Sequence, residues 1–268
     1  MNFGLIIIGD EILSGKRADK HLPKVIELLA ARGLSLAWAR YVGDEPARIT
    51  ADLQAAFASG DVVFSCGGIG ATPDDHTRQC AAAALGVPLA LHPEAKEFVL
   101  ERMREVAREQ GTTFAPDRDD NRHRLNMAVF PQGAQIIPNP FNKIAGFSVR
   151  RGEAGVFFVP GFPVMAWPMI EWVLDTVYPH LHLAHETRER SVIVFGAMEA
   201  ALTPLMEAIE KEFDGIKVFS LPSVDHPEWG RHIELGVKGA QARLEAAYGA
   251  LVDGLRARQA KLGPELVR

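Results

Sequence analysis

Three short apolar runs punctuate the first 160 residues: Leu5-Ile6-Ile7-Ile8, Val62-Val63-Phe64 and Val156-Phe157-Phe158-Val159. They end at Gly9, at Cys66-Gly67-Gly68 and at Pro160-Gly161. None alternates with polar residues. A strand that is apolar at every position has both faces covered, as in a parallel sheet. Helical spacing fills the intervals. Leu22, Val25, Ile26 and Leu29 recur with it, as do Ile49, Leu53 and Phe57 behind Pro46, which suits a first helical turn. Helices are also expected over residues 74–85, 94–109 and 164–178, and a further strand over 35–42. This alternation predicts an α/β domain of the doubly wound type.

The pattern changes at residues 180–190, which are polar and charged and read as a linker. Beyond it come a strand (191–195), a helix (202–213), two strands (216–221 and 231–237) and a helix (240–262). This β-α-β-β-α unit is a small α+β domain able to bury its own core. The expected division is therefore 1–180 and 190–268, which suits a chain of 268 residues, long for one domain.

Composition narrows the function classes. A net charge of −5 supplies no basic field for nucleic acid, so none is expected as a partner. Two cysteines, Cys66 and Cys80, cannot build a disulfide framework or a four-ligand zinc site, and both are expected in the core. The apolar run near the amino terminus is too short to span a membrane and follows no basic leader. A cytoplasmic location without membrane association is the default expectation. Trp167 and Trp172 are expected to pack either the sheet or an oligomer contact, which leaves a homo-oligomer open.

The strongest local chemistry lies in residues 61–77, DVVFSCGGIGATPDDHT. A buried strand runs into Gly67, Gly68 and Gly70, and a helix is expected to start near Thr72-Pro73. Glycines allow close backbone approach, and a helix start offers free N–H groups with partial positive charge. Together they make a phosphate cradle. A tight strand-to-helix turn, with Thr72 and Asp75 in a capping arrangement, is the structural alternative. Acid pairs follow three strands: Asp10-Glu11, Asp44-Glu45 and Asp74-Asp75. A parallel sheet would gather them on one edge. Carboxylates repel a phosphate unless a cation lies between, so Mg²⁺ or another divalent cation is expected. Alternatively, Asp44 and Asp74 simply favour helix amino termini. Pro160-Gly161-Phe162-Pro163 is either a second backbone contact loop or a plain turn. The 139–143 loop, Asn-Pro-Phe-Asn-Lys, offers amides and one cation. His180, His182 and His185 are expected in a solvated linker.

These residues carry a resemblance. Gly9-Asp10-Glu11-Ile12-Leu13-Ser14-Gly15-Lys16, Asp19, and then Gly68-x-Gly70-x-Thr72-x-Asp74-Asp75-x-Thr77 resemble the molybdopterin-binding (MoaB/Mog-like) superfamily, and more closely the amino-terminal domain of the CinA (competence/damage-inducible) family. Asn139, Ala145-Gly146-Phe147 and the Pro160-Gly161-x-Pro163 turn extend it over roughly residues 3–178. The carboxyl-terminal unit is similar to the small KH-like domain of that family. The resemblance does not reach the amidase domain of longer relatives, so deamidation is not implied. It implies a three-layer α/β fold that binds a pterin or nucleotide phosphate, either as a non-catalytic molybdopterin binder linked to molybdenum cofactor biosynthesis or as a nucleotide pyrophosphatase of the ADP-ribose kind. In the hydrolase, Asp75 and Asp10 would hold the metal, Asp75 would be catalytic, and Asp44 or Glu11 would serve as base. Gly9, Gly67, Gly68, Gly70, Thr72, Asn139, Gly146, Pro160 and Gly161 would contact the ligand. Three departures mark this chain: Asp19-Lys20-His21 where Asp-x-Asn is usual, Met165 where CinA relatives have an acid, and Asn142-Lys143 in a loop that is usually small and uncharged. Lys143 reads either as the contact for a second anionic group or as an exposed surface lysine.

Overall fold

The computed structural model describes residues 1–116, 118–182 and 187–267. Two compact units are present, with the division after His182. The first begins with β1 (Phe3–Ile8), a one-turn helix α1 (Asp10–Leu13), α2 (His21–Ala30), β2 (Leu36–Val42), α3 (Pro46–Ser59) and β3 (Val62–Cys66). It continues through α4 (Thr77–Leu85), β4 (Leu89–Leu91), α5 (Pro93–Glu109), α6 (Asp119–Leu125), β5 (Val129–Pro131), β6 (Gln135–Ile137), β7 (Gly146–Arg151), β8 (Ala154–Val159) and α7 (Pro163–Val177).

Six strands form one sheet in the order β2-β1-β3-β8-β7-β6. β2, β1, β3 and β8 run parallel, while β7 and β6 are antiparallel additions. The apolar runs divide between two faces as a pleat requires. Ile6, Ile8, Val63, Val156 and Phe158 join residues of α3, α4 and α5 in one core. Phe3, Leu5, Ile7, Phe64, Phe157 and Val159 join α2 and α7 in the other. These are the three layers of an α/β fold with a mixed, mostly parallel sheet. Phe130, Phe147 and Phe158 stack through the first core, with ring centroids 4.8 and 4.3 Å apart.

Two expectations about local structure are corrected. The helix expected from residue 74 starts at Thr77. Thr72 N–H and Oγ1 both donate to Asp75 Oδ2, at 2.8 and 2.5 Å, closing a turn over 72–75. Thr77 N–H then donates to Gly68 O and its hydroxyl to Gly67 O, which ties the helix start back to the glycine loop. The stretch 180–190 is not wholly a linker. The His180 ring bonds Glu153 and that of His182 bonds Leu174 O, both at 3.0 Å, while a strand is already present at Thr187. His185 lies outside the described residues.

The second unit has β9 (Thr187–Phe195), α8 (Glu199–Glu212), β10 (Lys217–His226), β11 (Gly230–Ala240), α9 (Gln241–Ala257) and β12 (Lys261–Val267). Its sheet, β10-β11-β9-β12, is antiparallel throughout. The last strand was missed: residues 258–262, expected to continue the helix, leave it at Arg258, and Gln259 takes a left-handed φ of 58°. The unit is thus β-α-β-β-α-β around its own apolar core.

Candidate functional site

A parallel sheet brings its carboxyl strand ends to one edge, and here that edge holds the chemistry. Gly9 N–H reaches Val42 O and Gly67 N–H reaches Val159 O, both at 3.0 Å, so the strand ends are pinned in a row. A pocket of about 570 Å³ opens over them. Its floor is Gly9, Gly67, Gly68 and Gly70, and one wall is Pro160, Gly161 and Phe162. Glu11, Asp44, Thr72, Asp74 and Asp75 supply the polar side. Ile69, Met127, Ile144 and Met165 line an apolar part. A more open depression adjoins it. The two share Glu11, Asp44 and Asp74, while the depression adds Asp10 and Lys16.

The glycine loop leaves donors free. Gly67 N–H is taken by Val159 O, and Thr72 N–H by Asp75. Among the described residues, the N–H groups of Gly68, Ile69, Gly70 and Ala71 have no partner. Four consecutive unpartnered donors among the residues lining a pocket are what an anion would require of a backbone. The glycines themselves answer to protein contacts. Gly67 has φ 106°, and a Cβ there would collide with Ile8 O. A Cβ at Gly70 would stand 2.5 Å from Asp75 Oδ2. Gly70 thus makes room for the Asp75 carboxylate.

The acids are held by reciprocal bonds. Asp10 N–H donates to Asp44 Oδ2 at 2.9 Å, and Asp44 N–H donates to Asp10 Oδ1 at 3.1 Å. Desolvation pushes the Asp44 carboxyl above its ordinary range. The Asp10 N–H bond opposes this, and the charges of Asp10, Glu11 and Asp74 add to it. Of the two acids expected to hold a metal, Asp10 lines the depression and Asp75 the pocket beside it. Among the described residues, no three His, Cys, Asp or Glu side chains cluster as a metal cage.

Three expected ligand contacts are elsewhere. Asn139 is buried and builds its own loop. Its Nδ2 donates to Asn142 Oδ1 and Ile144 O, and its Oδ1 accepts from Phe141 N–H. Gly146 lies inside the sheet, where a Cβ would collide with Phe158 O. Lys143 does not line the pocket. Its ammonium is bonded to Glu101 and Glu105 of α5 at 2.6 Å each, and these bonds raise its proton affinity. Asp44, Asp75, Glu11, Gly9, Gly67, Gly68, Gly70, Thr72, Pro160 and Gly161 do line it.

Sequence reasoning missed Arg17 and Arg78. Arg17 is the one cation among the described residues lining the pocket, with its guanidinium 6.0 Å from the Phe162 ring centroid. Nothing in the spacing of residues 14–19 marks it out. Arg78 is buried, and its Nη1 donates to Ile69 O at 2.6 Å, bracing the glycine loop from α4. A signal was present here: Arg78, Ala81, Ala82 and Leu85 share one helical face, so the arginine stands on an apolar stripe.

Comparison with known proteins agrees with this geometry. The family model described as a probable molybdopterin binding domain matches residues 4–181. A CinA-like protein of Citrifermentans bemidjiense is 35% identical over 211 residues, covering 77% of this chain and 47% of its own length. One from Geobacter sulfurreducens is 28% identical over all 268 residues and 61% of its own length. The chain thus spans about half the length of the curated relatives it matches. The crystal structure of a CinA protein of unknown function from Thermoplasma acidophilum aligns with a TM-score of 0.55 at 24% identity, over 66% of this chain and 97% of that one, and shows the same fold. The chain belongs to the molybdopterin-binding domain family and is similar to CinA-like proteins over most of its own length.

Proposed function

We propose that the pocket binds the phosphates of a nucleotide and that the protein hydrolyses a diphosphate linkage of the ADP-ribose kind. One observation carries the reading: four consecutive unpartnered N–H groups share a pocket with four carboxylates, Glu11, Asp44, Asp74 and Asp75. The donors suit phosphate oxygens and the negative charge that builds on them during displacement. The carboxylates suit proton transfer. Asp44 is the best placed base, because burial and neighbouring charge raise its proton affinity above an ordinary aspartate's. Arg17 and Phe162 stand where an anion and a ring could both be held.

Phosphate and carboxylates in one pocket conflict unless a cation intervenes. Mg²⁺ commonly takes one or two carboxylates and completes its shell with phosphates and water. The donor set fits a cation arriving with the ligand better than one caged by protein alone. Glu11 and Asp74, common to pocket and depression, are the residues that would hold it, leaving Asp44 as the base. When bound, it would neutralise phosphate charge.

Ile69, Met127, Ile144 and Met165 favour a second reading, since an apolar wall accepts a flat ring without requiring turnover. There the ligand would be a pterin phosphate, as the family's description suggests. Incubation with Mg²⁺ and ADP-ribose, FAD or NAD, with chromatography for AMP, separates the two. AMP release that EDTA stops and Asp44→Asn abolishes is expected. Tight binding of a pterin phosphate with no AMP from any substrate would replace hydrolysis with binding.

A further inference from the structure

Arg78 is 3% exposed, yet among the described residues no carboxylate oxygen lies within 4.0 Å of its guanidinium. One hydrogen bond is made, from Nη1 to Ile69 O, which leaves most of its five N–H donors unused. Buried charges are ordinarily paired, because removal from water without a partner is costly. Burial does lower the proton affinity of this guanidinium, and the charge of Asp75 restores only part of it. Arginine nevertheless stays protonated in proteins.

The same side chain lines a second pocket, of about 430 Å³, on the 71–79 segment. That pocket shares Ala71, Thr72 and Asp75 with the ligand pocket and is otherwise separate. Besides Arg78 it presents His76 and Gln79 from around the start of α4, and His123 and Asn126 from the α6 segment. Every one of these side chains can donate a hydrogen bond. Among the described residues Asp75 is the single carboxylate lining it, and its Oδ2 is already engaged by Thr72.

We propose that this pocket is a second anion site and that it takes a phosphate group, read by Arg78. The planar fork of a guanidinium meets two oxygens of an oxyanion at once. His123 and Asn126 line the same pocket from another element and add donors for the further oxygens that a phosphate has and a carboxylate lacks. Phosphate supplied as the free ion and phosphate carried by an ester present the same chemistry. The proposal does not rest on diphosphate hydrolysis, because it concerns a different pocket and a ligand with no bond to break.

Phosphorus NMR and calorimetry with inorganic phosphate, at fixed ionic strength set by chloride, test it. Wild type should bind. Arg78→Gln should weaken binding at least tenfold, on the scale of a lost charged hydrogen bond. His123→Ala, at an exposed position, should weaken it about threefold for one neutral donor. Asn126→Asp should abolish it by adding a negative charge, and decides the matter if Arg78→Gln does not fold. Phosphate also suits the ligand pocket, so two binding events are expected in wild type; Arg17→Ala, outside the second pocket, should weaken the other event and leave the one lost in Arg78→Gln unchanged. Glycerol 3-phosphate binding more tightly than the free ion would assign an ester, and equal or weaker binding would assign free phosphate. The proposal is overturned if wild type does not bind phosphate, if folded Arg78→Gln and Asn126→Asp bind it as wild type does, or if only Arg17→Ala loses it.

Discussion

Gly70→Ala adds one carbon and two hydrogens, and its cost should depend on Asp75. The new Cβ would stand 2.5 Å from Asp75 Oδ2. Ordinary contact needs about 3.5 Å, so carboxylate or loop must give by roughly 1 Å. A shift of that size takes the Thr72 N–H bond, now 2.8 Å, past the usual limit of about 3.2 Å. The Thr72 hydroxyl bond to the same oxygen, 2.5 Å, is disturbed with it. Charged hydrogen bonds contribute about 1.5–3 kcal/mol when shielded from water. Thr72 is exposed, so solvent reduces this to about 1 kcal/mol each, or about 2 kcal/mol together. Asp75→Ala removes the obstructing oxygen and the same two bonds. Gly70→Ala should therefore cost about 2 kcal/mol in wild type and close to nothing in the Asp75→Ala background, a coupling of the size seen between residues in contact. Urea unfolding of the four proteins measures it. If Gly70→Ala costs the same in both backgrounds, Gly70 does not exist to accommodate Asp75, and the case for a glycine kept open for phosphate returns.

Three further outcomes follow from the site. Desolvation makes folded Asp44 hold its proton more tightly than an ordinary aspartate, so the folded state binds more protons just above the ordinary carboxylate range; this stability is fully present below that range and is lost as pH rises through the raised value. Asp44→Asn can still accept from Asp10 N–H and should be more stable than wild type at pH 7, by about 0.5–1 kcal/mol for a half-exposed charge, with the gap closing towards pH 4 in urea titrations; a constant gap would refute the charge argument. Lys143→Ala should leave the ratio of ADP-ribose to AMP affinity unchanged by calorimetry, because its ammonium is committed to Glu101 and Glu105; a selective loss of ADP-ribose would show that these ion pairs open for ligand. Residues 1–182 should fold alone and keep ligand affinity, because both cores of the first unit and all pocket residues lie within them; a folded but non-binding fragment would bring the second unit into the site.

The sheet was legible because β1, β3 and β8 are apolar at nearly every position, and only a doubly covered strand tolerates that. The acid pairs were legible for a topological reason: strands that run parallel end on the same edge. What the pattern did not reveal was set by contacts distant in sequence. The delayed start of α4 depends on Thr77 reaching Gly67 and Gly68, and on Asp75 folding back to Thr72. The role of Lys143 depends on α5, about forty residues earlier. β12 was hidden because Lys261 and Leu262 extend the spacing of a helix that ends at Ala257. Arg78 was legible only as a cation on an apolar helical face, a weaker signal than the glycines and acids before it in the chain.

Two of the three departures from the family pattern touch one another at the pocket, and the third supports one of its walls. His21, where asparagine is usual, is buried, and its Nε2 lies 2.9 Å from Gly161 O, supporting the Pro160-Gly161-Phe162 wall. Asn142 donates to Met165 Sδ at 3.3 Å, so the altered loop and the lost acid touch one another. Asn142 Oδ1 also accepts from Asn139 and Ile144, which fixes Ile144 beside Met165 in the pocket lining. An acid at 165 would have brought a further charge to that wall. Methionine brings an apolar surface instead, continuous with Met127 and Ile144. The changes therefore move the pocket in one direction. Its far wall is apolar, and its carboxylates come from the strand ends of β1 and β2 and from the 72–75 turn. On the proposed reading, the glycine-loop N–H groups and Arg17 would meet the phosphate of a ligand and the apolar wall its ring, all with residues of the first unit.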